Sequence, residues 1–128
     1  MLFDVQIADR EGWVVLAIVG EVDLATAPRV RQAVIRMLSG VDRDVPPRVT
    51  IDLSGVDLID SIGLGVMIGA LRRVRAAGGT LALVVSEPRV RALFAATDLD
   101  RVFTIHPSFD LVLHGADADP YRGRTVDG

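Results

Sequence analysis

Residues Val49–Met67 read VTIDLSGVDLIDSIGLGVM, and the hydrophobic period changes within them. In VTIDL, residues 49 to 53, Val49, Ile51 and Leu53 face one way and Thr50 and Asp52 the other, as in a strand. From about residue 62 the spacing becomes helical. Leu64, Met67, Ile68, Leu71 and Val74 form one stripe, while Arg72, Arg73 and Arg75 lie off it. Gly78-Gly79 supplies a stop. A strand that feeds an amphipathic helix through a glycine-rich turn is the unit of an α/β sheet.

The flanking sequence repeats this alternation. Upstream, Leu2, Val5 and Ile7 lie in a short apolar segment expected as an edge strand, and Glu11-Gly12 reads as a hairpin turn. WVVLAIVG, residues 13 to 20, is short, nearly continuous and β-branched, as expected of a strand covered on both faces. Residues 24 to 38 return to helical spacing, with Ala27, Val30, Val34 and Met37 on one side and Arg29, Arg31 and Arg36 elsewhere. Thr26 is a candidate N-cap, Pro28 fits the first turn, and Gly40 closes the helix. DRDVPP, 42 to 47, reads as a linker.

Downstream, TLALVV, 80 to 85, is a further strand. Pro88 opens a short helix carrying Val90, Leu93 and Phe94. Leu99 to Ile105 reads as another short strand, and Ser108 to His114 as a last helix or turn. ADADPYRGRTVDG, 116–128, has almost no apolar content and is expected to be a disordered tail after one domain at 1–115. The order is β-β-α-β-α-β-α-β-α. The expected class is α/β, with a mostly parallel or mixed sheet and short crossovers placing helices against it.

Composition narrows the chemistry. The chain has 128 residues and is half hydrophobic, enough for one domain with a real core. It has no cysteine, so disulfides and thiolate metal sites are excluded. The two histidines, His106 and His114, form no ligand-spaced cluster, and no metal or cofactor is expected. All 14 basic residues are arginine and the net charge is -3, which argues against general nucleic-acid binding. No apolar run is long enough to span a membrane, and the N-terminus lacks the pattern of a secretory signal. A cytoplasmic location is the expectation.

GLGVMIG, 63 to 69, follows a strand and opens a helix, as a dinucleotide fingerprint would. Ile68, however, stands where the third glycine is needed. The plainer reading is that Gly63 relieves the turn while Gly65 and Gly69 permit close packing. Without lysine there is no phosphate-binding Walker sequence. Asp52, Asp57 and Asp60 raise the question of paired carboxylates, but no shared substrate space follows from their spacing. Loop acids bonded locally are the plainer account.

Ser61 is the residue to explain. As a hydrolase nucleophile it lacks the G-x-S-x-G elbow and an assigned base. As a structural residue it would be the N-cap of the helix, accepting from an orphan amide. As a modification site it would carry a phosphate at the positive end of that helix, beside Asp60. The added charge of about -1.5 to -2 would repel a partner that docks there.

GEVDLATAP (20 to 28), VTIDLSGVDLIDSIGLGVM (49 to 67) and GGTLALV (78 to 84) resemble the STAS-domain family, above all the bacterial anti-sigma factor antagonists. The resemblance covers roughly residues 3 to 115. It implies a mixed sheet with helices packed mainly on one side, and no enzyme activity. It implies a partner that is both an anti-sigma factor and a serine/threonine kinase. The unphosphorylated antagonist binds this partner and so releases a sigma factor. Phosphorylation ends the contact, and a PP2C-type phosphatase restores it.

By the same resemblance Ser61 matches the phosphorylated serine, Asp60 its preceding acid, and Gly63, Leu64 and Gly65 the turn and helix start. Asp23 matches the acid after the second strand, in a loop that contributes to partner binding, with Glu21 in the same Gly-Glu-x-Asp motif. Ile62 stands where many relatives carry a second hydroxyl. The implied docking residues are Asp23, Asp60, Ser61, Ile62, Gly63 and Leu64. Arg72 and Arg73 could add charge complementarity. The chain is expected to be a monomer or weak dimer without direct contact to nucleic acid or membrane. The rival readings are a STAS interaction module in a non-sigma system, such as a lipid-transport accessory or a stress-complex scaffold, and an antagonist that binds without being phosphorylated.

Overall fold

The computed structural model describes residues 2–42 and 44–114; the expected tail at 116–128 lies outside them. The element order is β1 (Asp4–Arg10), β2 (Trp13–Val22), α1 (Ala27–Ser39), β3 (Arg48–Ile59), α2 (Ser61–Ala76), β4 (Thr80–Val84), α3 (Pro88–Ala96), a 3-10 turn (Leu99–Arg101), β5 (Thr104–His106) and α4 (Phe109–His114). The five strands form one mixed sheet in the order β1-β2-β3-β4-β5. β1 pairs antiparallel with β2 through the turn at Glu11-Gly12, and the other neighbours are parallel. Parallel neighbours need a crossover, and α1, α2 and α3 supply one each.

One face of the sheet carries most of the core. Leu16, Ile18, Val49, Ile51, Leu53, Leu81 and Leu83 are buried there under Val30, Val34 and Met37 of α1, Met67, Leu71 and Val74 of α2, and Val90 and Phe94 of α3. Phe94 meets Phe103 edge to face, with centroids 5.7 Å apart. Among the described residues the opposite face has only α4, whose Phe109 and Val112 pack on Val15, Ala82 and Val84. A six-residue helix covers one end of that face and leaves Val19 exposed, so β2 is covered on both sides only around Val15.

β3 is longer than alternation suggests. Its residues buried in the main core are Val49, Ile51, Leu53, Val56 and Ile59, spaced two, two, three and three. Two register shifts against β2 insert an extra β3 residue each, between the pairs Ala17↔Asp52 and Val19↔Gly55 and again between Gly20↔Val56 and Glu21↔Leu58. Each bulge turns the next apolar side chain back to the core face. Asp52 Oδ1 supports the first by accepting from the Ser54 amide at 2.9 Å. A Cβ on Gly55 would lie 2.9 Å from Val19 Cγ2 and 3.1 Å from the Ile18 carbonyl oxygen, so glycine lets the two strands close there.

Other boundaries also move. Leu2 lies outside β1 and is exposed. The segment from Leu99 to Ile105 is not one strand: Asp98 sits at φ 59° and starts a helical turn, and β5 begins only at Thr104. Val85 falls just past β4, although its amide still donates to the His106 carbonyl at 2.9 Å. No helix among the described residues is long and apolar enough to cross a membrane.

Candidate functional site

Parallel strands bring the ends of β2 and β3 together, and the loop after each opens at the same edge of the sheet. The β2–α1 loop carries Asp23 and Leu24; the β3–α2 junction carries Asp60, Ser61 and Ile62. Glu21 pairs with Leu58 and Val22 with Ile59 immediately below, and the Asp60 amide donates to the Val22 carbonyl at 3.1 Å. Segments 36 residues apart in sequence thus form one surface.

Asp60, not Ser61, caps α2. Its backbone is extended, with φ -101° and ψ -176°, and its Oδ1 accepts from the Gly63 amide at 2.8 Å. Its Oδ2 accepts from the Leu24 amide at 3.3 Å, so one carboxylate holds the helix start and the neighbouring loop. With the cap position filled, Ser61 becomes the first helical residue. It is exposed, and its hydroxyl makes no hydrogen bond among the described residues. This leaves Ser61 Oγ open to solvent.

Asp23 is occupied by its own loop. Its Oδ1 accepts from the Ala25 amide at 3.0 Å and the Thr26 amide at 3.1 Å. Thr26 Oγ1 accepts from the Asp23 amide at 3.0 Å and donates to the Glu21 carbonyl at 2.7 Å. Thr26 therefore stands at the N-cap position of α1 without capping it, because its hydroxyl turns back into the loop. The aspartate and the threonine shape the loop and lift Leu24 out of it.

Gly63 and Leu64 are buried. A Cβ on Gly63 would collide with the Val22 carbonyl oxygen and stand 2.7 Å from Ile59 Cγ1; this glycine is where α2 presses on the sheet. Gly65 and Gly69 face open space instead, so close packing belongs to Gly63 and not to them. With Arg31 and Arg73 they line a shallow hollow between α1 and α2. Arg72, Arg73 and Arg75 are exposed.

Sequence reasoning named Ile62 but missed two other exposed apolar side chains, Leu24 and Leu58. Leu24 is 72% exposed, Leu58 46% and Ile62 44%, all near the ends of β2 and β3. Leu24 was concealed by its spacing, three residues before Ala27 and in phase with the α1 stripe. The sign that it stands apart is that it precedes the cap and the proline. Leu58 was concealed by the bulge before it.

The alternative chemistries find no arrangement here. Asp52 serves the bulge, Asp60 the cap, and Asp57 is exposed on β3; the three do not converge. No group of three potential metal-ligating side chains gathers among the described residues. His114 pairs with Asp110 at 3.7 Å, both side chains exposed on α4, and no histidine bonds to Ser61 among the described residues.

A mixed five-stranded sheet with a capped, serine-headed helix at the end of its central strand defines a class, and residues 4–112 match the sequence profile of the STAS domain: the chain belongs to the STAS domain family. Within that family it is similar to several anti-sigma factor antagonists. It is 31% identical over 106 residues to the anti-sigma-B factor antagonist of Bacillus subtilis (strain 168), covering 82% of this chain and 92% of that protein. It is 32% identical over 108 residues to the anti-sigma-B factor antagonist of Listeria monocytogenes, covering 82% and 90%. The crystal structure of an anti-sigma factor antagonist from Mycobacterium paratuberculosis matches with a TM-score of 0.78 at 28% identity, over 91% of this chain and 95% of that one.

Proposed function

We propose that this chain is an anti-sigma factor antagonist controlled by phosphorylation of Ser61. Unmodified, it binds an anti-sigma factor with serine kinase activity through the surface around Leu24, Asp60, Ser61 and Ile62, and the sigma factor is released. Asp23 acts by holding the loop, and Gly63 and Leu64 by seating the helix. Phosphate transfer from ATP to Ser61 Oγ ends the contact, and a PP2C-type phosphatase resets it. The protein itself is a binding switch without catalysis of its own.

The observation that carries this reading is the division of labour between Asp60 and Ser61. A capping serine would have its oxygen committed to a backbone amide. Here Asp60 fills that role at 2.8 Å and leaves the Ser61 hydroxyl uncommitted. A phosphate there would sit at the positive end of α2, which favours it, and beside the Asp60 carboxylate, which adds to the negative charge a partner must face. Exposed Ile62 next to Ser61 in the chain, and exposed Leu24 on the loop that Asp60 holds, suit a contact driven by burial and broken by charge.

The test mixes the protein with the anti-sigma kinases of its own genome, with and without ATP and magnesium. Intact mass, site mapping and a binding assay follow, with Ser61→Ala as control. One added phosphate on Ser61, with the complex lost as it appears, supports the switch. Binding without transfer reduces the reading to a constitutive antagonist. Neither binding nor modification with any kinase would overturn it.

A further inference from the structure

β1 is the outer strand of the sheet, and no strand of the described residues pairs with its free edge. Its register with β2 is unbroken over all seven residues, so nothing in it blunts the edge by a bulge, and it contains no proline or lysine. Six of its seven residues are exposed. Such an edge offers a row of backbone donors and acceptors to any strand that matches it.

The strand reads DVQIADR, Asp4 to Arg10, and it matches itself. Laid antiparallel on a second copy with Ile7 opposite Ile7, all seven residues pair. Asp4 falls opposite Arg10 of the second copy, and Arg10 opposite its Asp4. Shifting the register by two in either direction shortens the overlap and loses both charge pairs. Val5 and Ile7 lie on the core face, where the strand and α1 bound an open groove of about 660 Å³ lined also by Arg29, Gln32, Ala33 and Arg36. In the same register Asp9 of the second copy falls opposite Val5, on the face that carries Arg29 and Arg36. Neither arginine has an acidic partner among the described residues.

We propose that β1 pairs with β1 of a second copy, joining two five-stranded sheets into one continuous sheet about a two-fold axis at Ile7. The edge lies on the strand beyond β2, so the contact is independent of the Ser61 reading and stands or falls apart from it. Two seven-residue strands make a contact well below the roughly 1,200–2,000 Å² of stable complexes, so the association is reversible and concentration-dependent. Charge pairs at both ends set the register more than they add affinity.

The test is sedimentation velocity on the purified chain over a wide concentration range, with Asp4→Arg and Arg10→Asp variants. Each single reversal puts like charges opposite each other at both ends and should weaken self-association about tenfold or more. An equimolar mixture of the two variants should recover the parent affinity, because the two altered edges are then opposite in charge at both ends. Thermal melts confirm that each variant is folded. Hydrogen exchange gives a second readout: amides within residues 4–10 should slow as concentration rises. A monomer at every concentration would overturn the proposal. So would association that neither variant weakens, or variants that do not rescue each other on mixing.

Discussion

Asp60 and Leu24 are 36 residues apart, yet the carboxylate of one accepts from the amide of the other at 3.3 Å while also capping α2. The bond ties the loop after β2 to the helix after β3. It therefore places the exposed Leu24 beside Ser61.

Asp60→Ala should cost about 1–2 kcal/mol in denaturant unfolding, since it removes a helix cap and a second hydrogen bond to a charged group. Asp60→Asn should cost less, because the amide oxygen can still cap Gly63. Equal losses in the two variants would show that the charge, not the cap, is what matters.

Ser61→Ala should leave stability within about 0.5 kcal/mol of the parent, as expected of an exposed residue with no bond to lose. A loss of about 1 kcal/mol or more would mean that Ser61 is a cap after all. The same variant should accept no phosphate from a cognate kinase.

The glycines of α2 should respond with opposite signs. Gly63→Ala drives a methyl group into the Val22 carbonyl and Ile59 and should destabilise by about 1–3 kcal/mol. Gly65→Ala and Gly69→Ala meet open space and should each stabilise by about 0.5–1 kcal/mol, through helix propensity alone. Thermal or chemical melts of the three variants decide it.

Thr50 is fully buried between Val15 and Ala82 on the α4 face, and its hydroxyl has no hydrogen-bond partner. Thr50→Val keeps the shape and removes the unsatisfied group, so it should stabilise by about 1 kcal/mol. A destabilised variant would reveal a partner for that hydroxyl.

Leu24→Asp and Ile62→Asp alter exposed side chains and should change the melting temperature little. If the site is the docking surface, each should weaken binding of the anti-sigma partner by about tenfold or more, in calorimetry or surface-binding measurements. Ile35→Asp, on an exposed part of α1, is the control and should change nothing.

Much of the fold is local and was legible in the chain. The α1 stripe of Ala27, Val30, Val34 and Met37 is buried as its spacing requires, and Gly78 ends α2 with a positive φ of 75°. The alternation of strands and helices gave the right element order because each period is a property of one segment. The family resemblance, too, rested on residues that can be read in line, above all the Asp60-Ser61 turn.

Where two segments meet, the sequence was silent. The far half of β3 was hidden because two bulges against β2 break its alternation, and a bulge exists only relative to a partner strand. Asp60 and Ser61 are both good capping residues, and the Val22 carbonyl that anchors the Asp60 amide decided between them. Gly63 and Gly65 differ in burial for the same reason, since one faces β2 and the other faces out. The sequence by itself determined the periods, the punctuation and the presence of an acid beside a serine. The tertiary structure decided which of the two caps, which carboxylates are already committed and which apolar side chains remain exposed. Those outcomes depend on close approaches between β2, β3 and α2, and such distances are set only when the sheet closes.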